Sequence, residues 1–222
     1  MYTVTHGTFR TPRGASVQMD YREDTNDYNV LRSCLDEDEY RLAELDLSGT
    51  ALDIGAHIGG VTVALLADNP DLRLIAVEAV PPNVELLRAN LERNGLSERA
   101  TVLHAAAGKG RRAIVRWGFS GNEAADHHTF IGNAVMPATT LVAQQETEIP
   151  GVSLPGLVRQ YGPIGFLKVD CEGCEYDLLR AIPRCIVRIR GEEHHGPLNL
   201  PEYDVTYTQG NAPRGFEAVR RG

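Results

Sequence analysis

The stretch that decides the fold runs from Ala51 to Leu66 and reads ALDIGAHIGGVTVALL. It begins with a short apolar run, Ala51 to Ile54, of the kind found in buried parallel strands. Glycines at positions 55, 59 and 60 interrupt the run, and the residues from Val61 to Ala67 are apolar enough for a helix on a sheet face. A strand, a glycine turn and a helix in succession bring backbone close to a nucleotide-like ligand in α/β proteins.

The spacing of the glycines separates the possible ligands. The turn reads Asp-x-Gly-x-x-x-Gly from Asp53 to Gly59. It is not the Gly-x-Gly-x-x-Gly of dinucleotide-binding turns and lacks the Gly-Lys-Ser/Thr of phosphate-binding loops. This argues against ATP and, more weakly, against NAD, and it favours a ligand without phosphate such as S-adenosylmethionine (SAM). Since Gly55 and Gly59 have no Cβ, a ligand can approach the main chain there. The alternative is an ordinary turn in which glycine serves packing only.

The composition indicates one globular domain. The chain has 222 residues, of which 42% are hydrophobic and 23% charged, and its formal net charge is −8. Such a length can bury one full core, and the acidic balance gives no basic surface for nucleic acid. Because we find no signal-peptide core and no run long enough for a membrane span, we expect a cytoplasmic protein that contacts no membrane. The four cysteines are too few and too clustered for a disulfide framework.

Residues 1–48 predict a hairpin and a helix that cover the active site. Weak alternation over residues 1–21 is typical of a β-hairpin. Helical spacing then continues from Asn29 to Leu45, with an acidic run in the middle. The run is either the exposed face of one helix or a break near the active site, with Glu39 and Tyr40 facing it.

Residues 49–222 predict the SAM-binding core. Apolar strands alternate with helices, so that a βαβαβ half sheet with right-handed crossovers is expected. Its predicted second strand, helix and third strand are 72–77, 81–94 and 101–107.

Glu78 follows the second strand and is the second anchor of the site. An acid at this place accepts hydrogen bonds from both ribose hydroxyls of a nucleoside, about twenty residues after the glycine turn. The distance from Gly59 to Glu78 is close to this. Acids at strand ends are also common by chance, so the prediction of a nucleoside site depends on Glu78 together with the glycine turn.

The sequence pattern in the middle of the chain predicts fewer elements of secondary structure. Residues 111–117 pair with 135–142 as antiparallel strands, and a short helix covers 153–161. The intervening segment 118–132, which contains His127 and His128, is either a lid that orders on ligand binding or a plain hairpin loop.

The fourth strand begins near Ile164 and ends at Lys168 and Asp170, which face the same side because they are two residues apart. Asp170 could bind a substrate hydroxyl or a metal, or cap the following helix. Cys171 and Cys174 form a single C-x-x-C pair, which is a poor zinc site without a second pair. A redox role would need a thioredoxin context, so we interpret the cysteines as small core residues at a helix start.

The fifth strand, 185–189, runs into Gly-Glu-Glu-His-His-Gly at 191–196, the densest titratable cluster in the chain. Histidine is the natural general base near neutral pH. Asp170 with Glu192, Glu193 or His194 would also suit a Mg²⁺ or Mn²⁺ site. The alternative is a solvated loop. An antiparallel hairpin of 203–208 and 216–219 closes the sheet.

Together these motifs resemble the FkbM-type family of SAM-dependent O-methyltransferases. The Lys-x-Asp-x-Glu-Gly-x-Glu signature is specific to that family, whereas the glycine turn is shared by many methyltransferases. The matching stretches are LDIGAHIG (52–59), Glu78 with Pro82 and Asn83, Asn90, Asn94, FLKVDCEGCE (166–175) and GEEH (191–194).

The resemblance implies a single-domain class I methyltransferase fold of the α/β, Rossmann-like type. Its central sheet would be mostly parallel, with a C-terminal antiparallel hairpin and helices on both faces. His57 stands where the family often has Asn, which leaves its contact open. The residues implied to hold SAM are Asp53, Gly55, His57, Gly59, Glu78, Asn83 and Asp170, with His104, Ala105 and Ala106 bordering the adenine.

The implied acceptor is a hydroxyl of a small molecule, as the family's substrates are mostly sugars or natural products. The residues implied to approach it are Lys168, Asp170, Glu192 and His194. We expect His194 or Asp170 to take the proton, helped by Glu192. A divalent metal such as Mg²⁺ at Asp170, Glu193 and His194, and a homodimer, are further possibilities. The competing functions are an NAD-dependent α/β oxidoreductase and a non-catalytic SAM-binding protein.

Overall fold

The computed structural model describes residues 3–23, 25–108, 111–117, 130–131, 145–208 and 214–222. Two short 3₁₀ turns, Leu42–Glu44 and Ser97–Arg99, lie between the longer elements. The strands and helices are β1 (Val4–Arg10), β2 (Ser16–Arg22), α1 (Asp27–Leu35), β3 (Gly49–Ile54), α2 (Gly60–Asp68), β4 (Leu72–Glu78), α3 (Pro81–Arg93), β5 (Ala100–His104), β6 (Ala106–Ala107), β7 (Arg112–Trp117), β8 (Phe130–Ile131), β9 (Gln145–Val152), α4 (Leu154–Tyr161), β10 (Phe166–Val169), α5 (Glu175–Leu178), β11 (Arg188–Glu193), β12 (Tyr203–Tyr207) and β13 (Arg214–Arg220).

The central sheet has the order β12-β13-β11-β10-β3-β4-β5. Its strands β11, β10, β3, β4 and β5 are parallel, and β12 and β13 form the antiparallel hairpin at one edge. The chain builds outward from β3 through β4 to β5 and later returns to place β10 on the other side of β3. In open α/β sheets, ligands bind beyond the carboxyl ends of the strands at such a reversal of order. The mostly parallel sheet and closing hairpin are therefore confirmed.

Two apolar clusters cover the two faces of this sheet. Neighbouring strand residues alternate between them, as Ala51 belongs to one cluster and Leu52 to the other. The first cluster contains α2, α3 and the N-terminal hairpin, and the second contains α4 and the closing hairpin. Helices on both faces are thus confirmed. In the described part of the chain, we find no helix with the length and apolar character that a membrane crossing requires.

The N-terminal hairpin is confirmed, but the continuous helix over 29–45 is wrong. Strands β1 and β2 pair antiparallel, and α1 ends at Leu35. Asp38 and Arg41 have φ angles of 52° and 54°, a left-handed conformation that a helix does not contain. The break turns Tyr40 inward, where its side chain is 7% exposed. The alternative interpretation of the acidic run, a break near the site, is the correct one.

The predicted third strand, 101–107, is two strands. Strand β5 ends at His104, where Ala105 donates its N–H to the carbonyl of Glu78. The chain then leaves the central sheet, and β6 pairs with β9 in a smaller sheet of order β6-β9-β7-β8. Strand β7 pairs antiparallel with β9 and with β8. The predicted partner 135–142 and most of the 118–132 segment, including His127 and His128, lie outside the described residues.

The fifth strand lies further along the chain than predicted. Residues 185–187 precede β11, because a turn bonds the Ile186 N–H to the Pro183 carbonyl. Strand β11 therefore contains Glu192 and Glu193, which the prediction placed just beyond the end of the strand. The helix at 153–161 is confirmed as α4, whose N-cap Ser153 accepts a hydrogen bond from the N–H of Gly156.

Candidate active site

A pocket of about 840 Å³, including its opening to solvent, lies beyond the carboxyl ends of β3 and β4. We call it the Glu78 pocket. Its wall combines residues of the glycine turn and strand ends with two residues from the N-terminal segment. The residues that matter below are Asn26, Val30, Gly55, His57, Glu78, Asn83, Ala105, Ala107, Asp170, Cys171 and Glu172.

Glu78 is held in place by three donors. Its Oε2 accepts the backbone N–H of His57 at 2.8 Å, and its Oε1 accepts the N–H of Val80 at 2.8 Å and the amide of Asn83 at 3.3 Å. Burial raises the pKa of Glu78, and these hydrogen bonds oppose the rise. A carboxylate has about four lone-pair sites, so this one retains acceptor capacity for a ligand. The structure therefore presents a fixed acceptor where the sequence predicted it.

Gly55 and Gly59 are each required by a close contact, but with different parts of the protein. Gly55 has φ +74°, and a Cβ built there would lie 1.7 Å from the carbonyl oxygen of Asp170. Gly59 has φ +99°, and its Cβ would lie 2.7 Å from Cδ1 of Leu87 on α3. The missing Cβ atoms thus make room for protein, not for a ligand, which corrects the sequence-based argument. Gly55 still lines the Glu78 pocket, whereas Gly59 packs beneath α3.

Asp53 lies under the turn and does not line the Glu78 pocket. Its Oδ2 accepts the hydroxyl of Thr62 at 2.6 Å, and its Oδ1 is 3.5 Å from the ammonium of Lys168. Lys168 also donates to the carbonyl of Gly55 at 2.9 Å. Burial by itself lowers the pKa of Lys168, but the carboxylates of Asp53 and Asp170 raise it above its usual range. Lys168 is therefore a permanent cation that fixes the turn, and not a proton acceptor.

A buried ion pair joins the N-terminal segment to the Glu78 pocket, and sequence reasoning missed it. Arg22 and Asp27 are both fully buried and 2.7 Å apart, and Arg22 also donates to Asn83 Oδ1 at 2.7 Å. The ring of His57 lies 3.4 Å from the same aspartate. A charge buried in this way is tolerated only with good partners. No motif marks either residue, and the surrounding sequence, DYREDTNDYN at 20–29, is polar, so it gives no signal that the two side chains are buried.

The predicted adenine border is only partly in the wall. Ala105 and Ala107 line the Glu78 pocket. Ala106 instead packs with Val115 and Ile149 of the smaller sheet. His104 turns its Nε2 to the carbonyl of Ala79 at 3.1 Å. Alternation along an extended chain explains the pattern, since only every second residue faces one side.

Beside this pocket, His194 is surrounded by carboxylates in an arrangement that we call the His194 cluster. Its Nδ1 is 2.8 Å from Oε1 of Glu175, and its Nε2 lies 3.6, 3.7 and 3.9 Å from Glu172, Asp170 and Glu192. Burial lowers the pKa of His194, but these carboxylates, Glu175 first, raise it to about 9. An imidazolium has no lone pair to accept a proton, so the raised pKa favours Asp170 over His194 as the base near neutral pH, and the assignment of the base stays a prediction.

Two carboxylates of the cluster remain as proton acceptors. Burial, followed by repulsion from Asp170 and Glu39, raises the pKa of Glu192 to about 7. Asp170 lines the Glu78 pocket, and its Oδ2 accepts the hydroxyl of Tyr40 at 2.8 Å. Asp170 therefore has a fixed position at the pocket, and the neighbouring Glu192 has a proton affinity suited to neutral pH.

Glu193 does not belong to the cluster. Its side chain is 1% exposed and accepts a hydrogen bond from Arg214 Nε at 2.6 Å, because successive residues of β11 face opposite sides. The predicted metal set with Glu193 is therefore wrong. Among the described residues, Asp170, Glu192 and His194 form one group whose ligand atoms all lie within 4.8 Å of one another, and Cys171, Cys174 and Glu175 form another.

Cys171 and Cys174 form a disulfide in the loop between β10 and α5, with Cα atoms 5.4 Å apart. Both are partly buried. Both also pack against the second apolar cluster, and Cys174 directly precedes α5, so the interpretation as small core residues at a helix start is confirmed in part, but it missed the disulfide. Cys34 and Cys185 are free.

A second pocket, the Glu39 pocket, lies on the other side of Tyr40 and has a volume of about 490 Å³. Its wall combines acids, the arginines Arg41 and Arg190, hydroxyls and aromatic rings. The residues used below are Glu39, Tyr40, Gly191, Thr206, Tyr207, Phe216 and Glu217.

Several solved structures that align with this chain are methyltransferases. Precorrin-6y C5,15-methyltransferase from Geobacter metallireducens GS-15 aligns with a TM-score of 0.50 at 12% identity, covering 83% of this chain and 87% of that one. M. capricolum TrmK in complex with S-adenosylhomocysteine aligns with a TM-score of 0.49 at 10% identity, over 80% of this chain. The present chain spans only 64% of the length of TrmK.

No curated protein sequence matches the chain significantly. The model of the methyltransferase FkbM domain, however, matches residues 53–206, which contain the glycine turn, Glu78, Asp170 and the His194 cluster. With the fold and the family in agreement, this chain belongs to the FkbM methyltransferase family and has the class I methyltransferase fold.

Proposed function

We propose that this protein is a SAM-dependent O-methyltransferase that methylates a hydroxyl of a small molecule, such as a sugar or a natural product. The observation that carries the proposal is Glu78, a carboxylate fixed by three donors at the end of β4 and facing a nucleoside-sized pocket. Membership of a methyltransferase family supports the reaction class.

The charge of the Glu78 pocket favours SAM over NAD. Of the described residues that line it, none is Lys or Arg, and Glu78, Asp170 and Glu172 are acidic. A pyrophosphate would lack a counter-charge there, whereas a sulfonium and an ammonium would have one. Glu78 would receive the ribose hydroxyls, and Ala105 and Ala107 offer an apolar wall for the adenine.

The protein must align the acceptor oxygen and accept its proton. When bound, SAM supplies an electrophilic methyl carbon on sulfur. Holding the reacting atoms in line is the largest contribution that a protein makes to such a displacement. Asp170, fixed by Tyr40, is placed to orient the hydroxyl, and the Asp170–Glu192 pair takes the proton. Protonated His194 stabilises the negative charge of the pair.

The acceptor enters from the Glu39 pocket. Tyr40 lies between the two pockets, since it lines one of them and donates to Asp170 in the wall of the other. Tyr207 and Phe216 offer aromatic faces, and Glu39 and Glu217 offer acceptors for hydroxyl groups.

A divalent cation is the competing way to activate the hydroxyl. Asp170, Glu192 and His194 offer two carboxylates and one imidazole, a donor set that suits Mn²⁺ or Mg²⁺. A bound cation would lower the pKa of the acceptor hydroxyl, and it would have to displace the proton from His194. Turnover that survives excess EDTA within twofold supports the carboxylate pair, and turnover that is lost and restored by Mn²⁺ supports the cation.

The proposal is tested by calorimetric titration with S-adenosylhomocysteine and NAD separately, followed by transfer of labelled methyl from SAM to a panel of hydroxyl acceptors. We expect binding of the first ligand only, and label on oxygen. Binding of NAD alone would favour the oxidoreductase. Binding of S-adenosylhomocysteine without transfer to any acceptor would favour a non-catalytic SAM-binding protein, and label on nitrogen or carbon would reject the O-specificity.

A further inference from the structure

We propose that the Cys171–Cys174 disulfide is a reversible redox site, opened by thiols, whose state controls how tightly the Glu78 pocket binds its ligand. The identity of that ligand rests on the proposed function. The redox site itself rests on the position of the disulfide, its neighbours and its exposure.

The disulfide lies in the wall of the Glu78 pocket. Cys171 lines the pocket, as do Asp170 before it and Glu172 after it. The carbonyl oxygen of Asp170 packs against Gly55, so tightly that a Cβ there would lie 1.7 Å away. This loop therefore touches the glycine turn that follows the adjacent strand β3, and a change in its order reaches both of these segments of the pocket wall.

The disulfide closes a ring around two residues with positive φ angles, one of which bears a side chain. Glu172 has φ +54° and Gly173 has φ +98°. A side-chain-bearing residue occupies the left-handed region at a cost, and its surroundings must hold it there. The covalent link between the flanking residues is one such restraint. Its reduction gives the loop access to the extended and right-handed conformations that Glu172 prefers.

The disulfide also touches the support of the His194 cluster. Sγ of Cys171 lies 3.6 Å from Oε2 of Glu175, which accepts the N–H of Gly173 at 2.9 Å. The other oxygen of Glu175 holds His194. A disulfide sulfur has no hydrogen to donate, whereas a thiol does. Reduction therefore adds a donor to Glu175 and alters the support of the cluster.

The cysteine pair is accessible and is not required by the family signature. Lys-x-Asp-x-Glu-Gly-x-Glu leaves three positions unspecified, and in this chain Cys171 and Cys174 occupy two of them. Both side chains are partly buried, whereas Cys34 is only 5% exposed. Reagents in solution can therefore reach the pair without unfolding the core.

The chemistry is thiol–disulfide exchange. A thiolate attacks one sulfur, the S–S bond breaks, and the mixed disulfide is resolved by a second thiol. Two thiols thus lose two electrons and two protons to the protein pair and leave as a disulfide. The co-reactant is a dithiol in one direction and a disulfide in the other.

The test compares oxidised and reduced full-length protein, prepared with excess oxidised or reduced dithiothreitol. Alkylation and mass spectrometry count the free thiols, calorimetry measures S-adenosylhomocysteine binding, and hydrogen exchange is followed over residues 170–178. We expect roughly tenfold weaker binding after reduction, the order of magnitude that loss of a small covalent ring permits, and faster exchange in this segment. The C171S/C174S variant is expected to bind like the reduced protein under both conditions, and Cys185→Ser to respond like the wild type.

Freed thiols without a change in affinity or exchange would overturn the proposal, as would a pair that excess disulfide leaves reduced. If neither form binds S-adenosylhomocysteine, the proposed ligand is wrong. Hydrogen exchange then decides the redox site by itself, because faster exchange supports it and unchanged exchange rejects it.

Discussion

The Glu78 pocket and the His194 cluster lie at the same edge of the sheet but are built in opposite ways. The donors to Glu78 are its sequence neighbours Val80 and Asn83 and the glycine turn at His57. The cluster gathers residues from position 170 to position 194, and its carboxylates outnumber its cations. Three hydrogen bonds hold Glu78 as a rigid part of a binding surface, whereas an excess of like charge moves pKa values toward neutrality, as proton transfer requires.

The sharpest test of this contrast is Asp170→Asn. The variant removes a carboxylate of the proposed proton-accepting pair but keeps its shape, so we expect turnover to fall by about 10²- to 10⁴-fold and S-adenosylhomocysteine affinity to change by less than roughly threefold. Steady-state kinetics and calorimetry measure the two quantities. Tyr40→Phe is the matched control, because it removes only the hydroxyl that positions Asp170, and we expect a loss of about tenfold. A large loss of affinity with unchanged turnover would assign Asp170 to cofactor binding alone.

For Glu78→Gln we expect the reverse of Asp170→Asn, a loss of ligand affinity with little change in turnover. The amide cannot accept charge-assisted hydrogen bonds from a ribose and brings a donor toward the N–H groups of His57 and Val80. We expect S-adenosylhomocysteine to bind about 10- to 100-fold more weakly, with turnover at saturating SAM nearly unchanged. Glu85→Gln, an exposed change on α3, is the control and should leave both quantities unaltered. Equal losses in both quantities would remove the distinction between the two regions.

Glu192→Gln tests the excess of carboxylates over cations in the His194 cluster. Because the folded-state pKa of Glu192 is about 7, against 4.5 as its reference, its charge destabilises the fold progressively between these values and fully above pH 7. We expect Glu192→Gln to raise the thermal midpoint by about 3 °C at pH 8 and by nothing at pH 4.5. The rise in wild-type turnover through pH 7 should disappear in the variant. Glu193→Gln, which loses its bond to Arg214, should instead lower the midpoint.

The charge of His194 has the opposite effect on the stability of the fold to the charge of Glu192. Its folded-state pKa, about 9, lies above the reference of 6.5. Its charge therefore adds stability that is fully present below pH 6.5 and is lost as the pH rises through 9. The gap in thermal midpoint between wild type and His194→Gln, measured in EDTA, should shrink from pH 6 to pH 10. The exposed His195→Gln is the control, and a gap that grows with pH would contradict the protonated state.

The fold was predictable where the signal is local. Apolar runs and the glycine turn indicate β3, α2 and β4, and the spacing to Glu78 indicates the anchor. The break in the helix around Tyr40 could be predicted only as an alternative. Its left-handed residues, Asp38 and Arg41, are not glycines, so no local signal marks them. The contact that accompanies the break joins Tyr40 to Asp170, far along the chain.

In the site, local signals identified the residue types but not their orientation. The choice between Glu192 and Glu193 depends on where β11 begins, since a shift of one residue reverses the facing side. The pairing of Arg22 with Asp27 follows no motif. The imidazolium of His194 depends on Glu175 and Glu172, whose approach to it only the folded chain reveals.

The position of Tyr40 has a consequence for how such an enzyme diversifies. Tyr40 and Glu39 lie outside residues 53–206, the part that defines the family, yet they separate the two pockets. The short segment that contains them can be replaced during evolution, or by a protein engineer, without altering the glycine turn or Glu78. New acceptor preferences would then arise by recombination of one loop, while the cofactor apparatus is inherited unchanged.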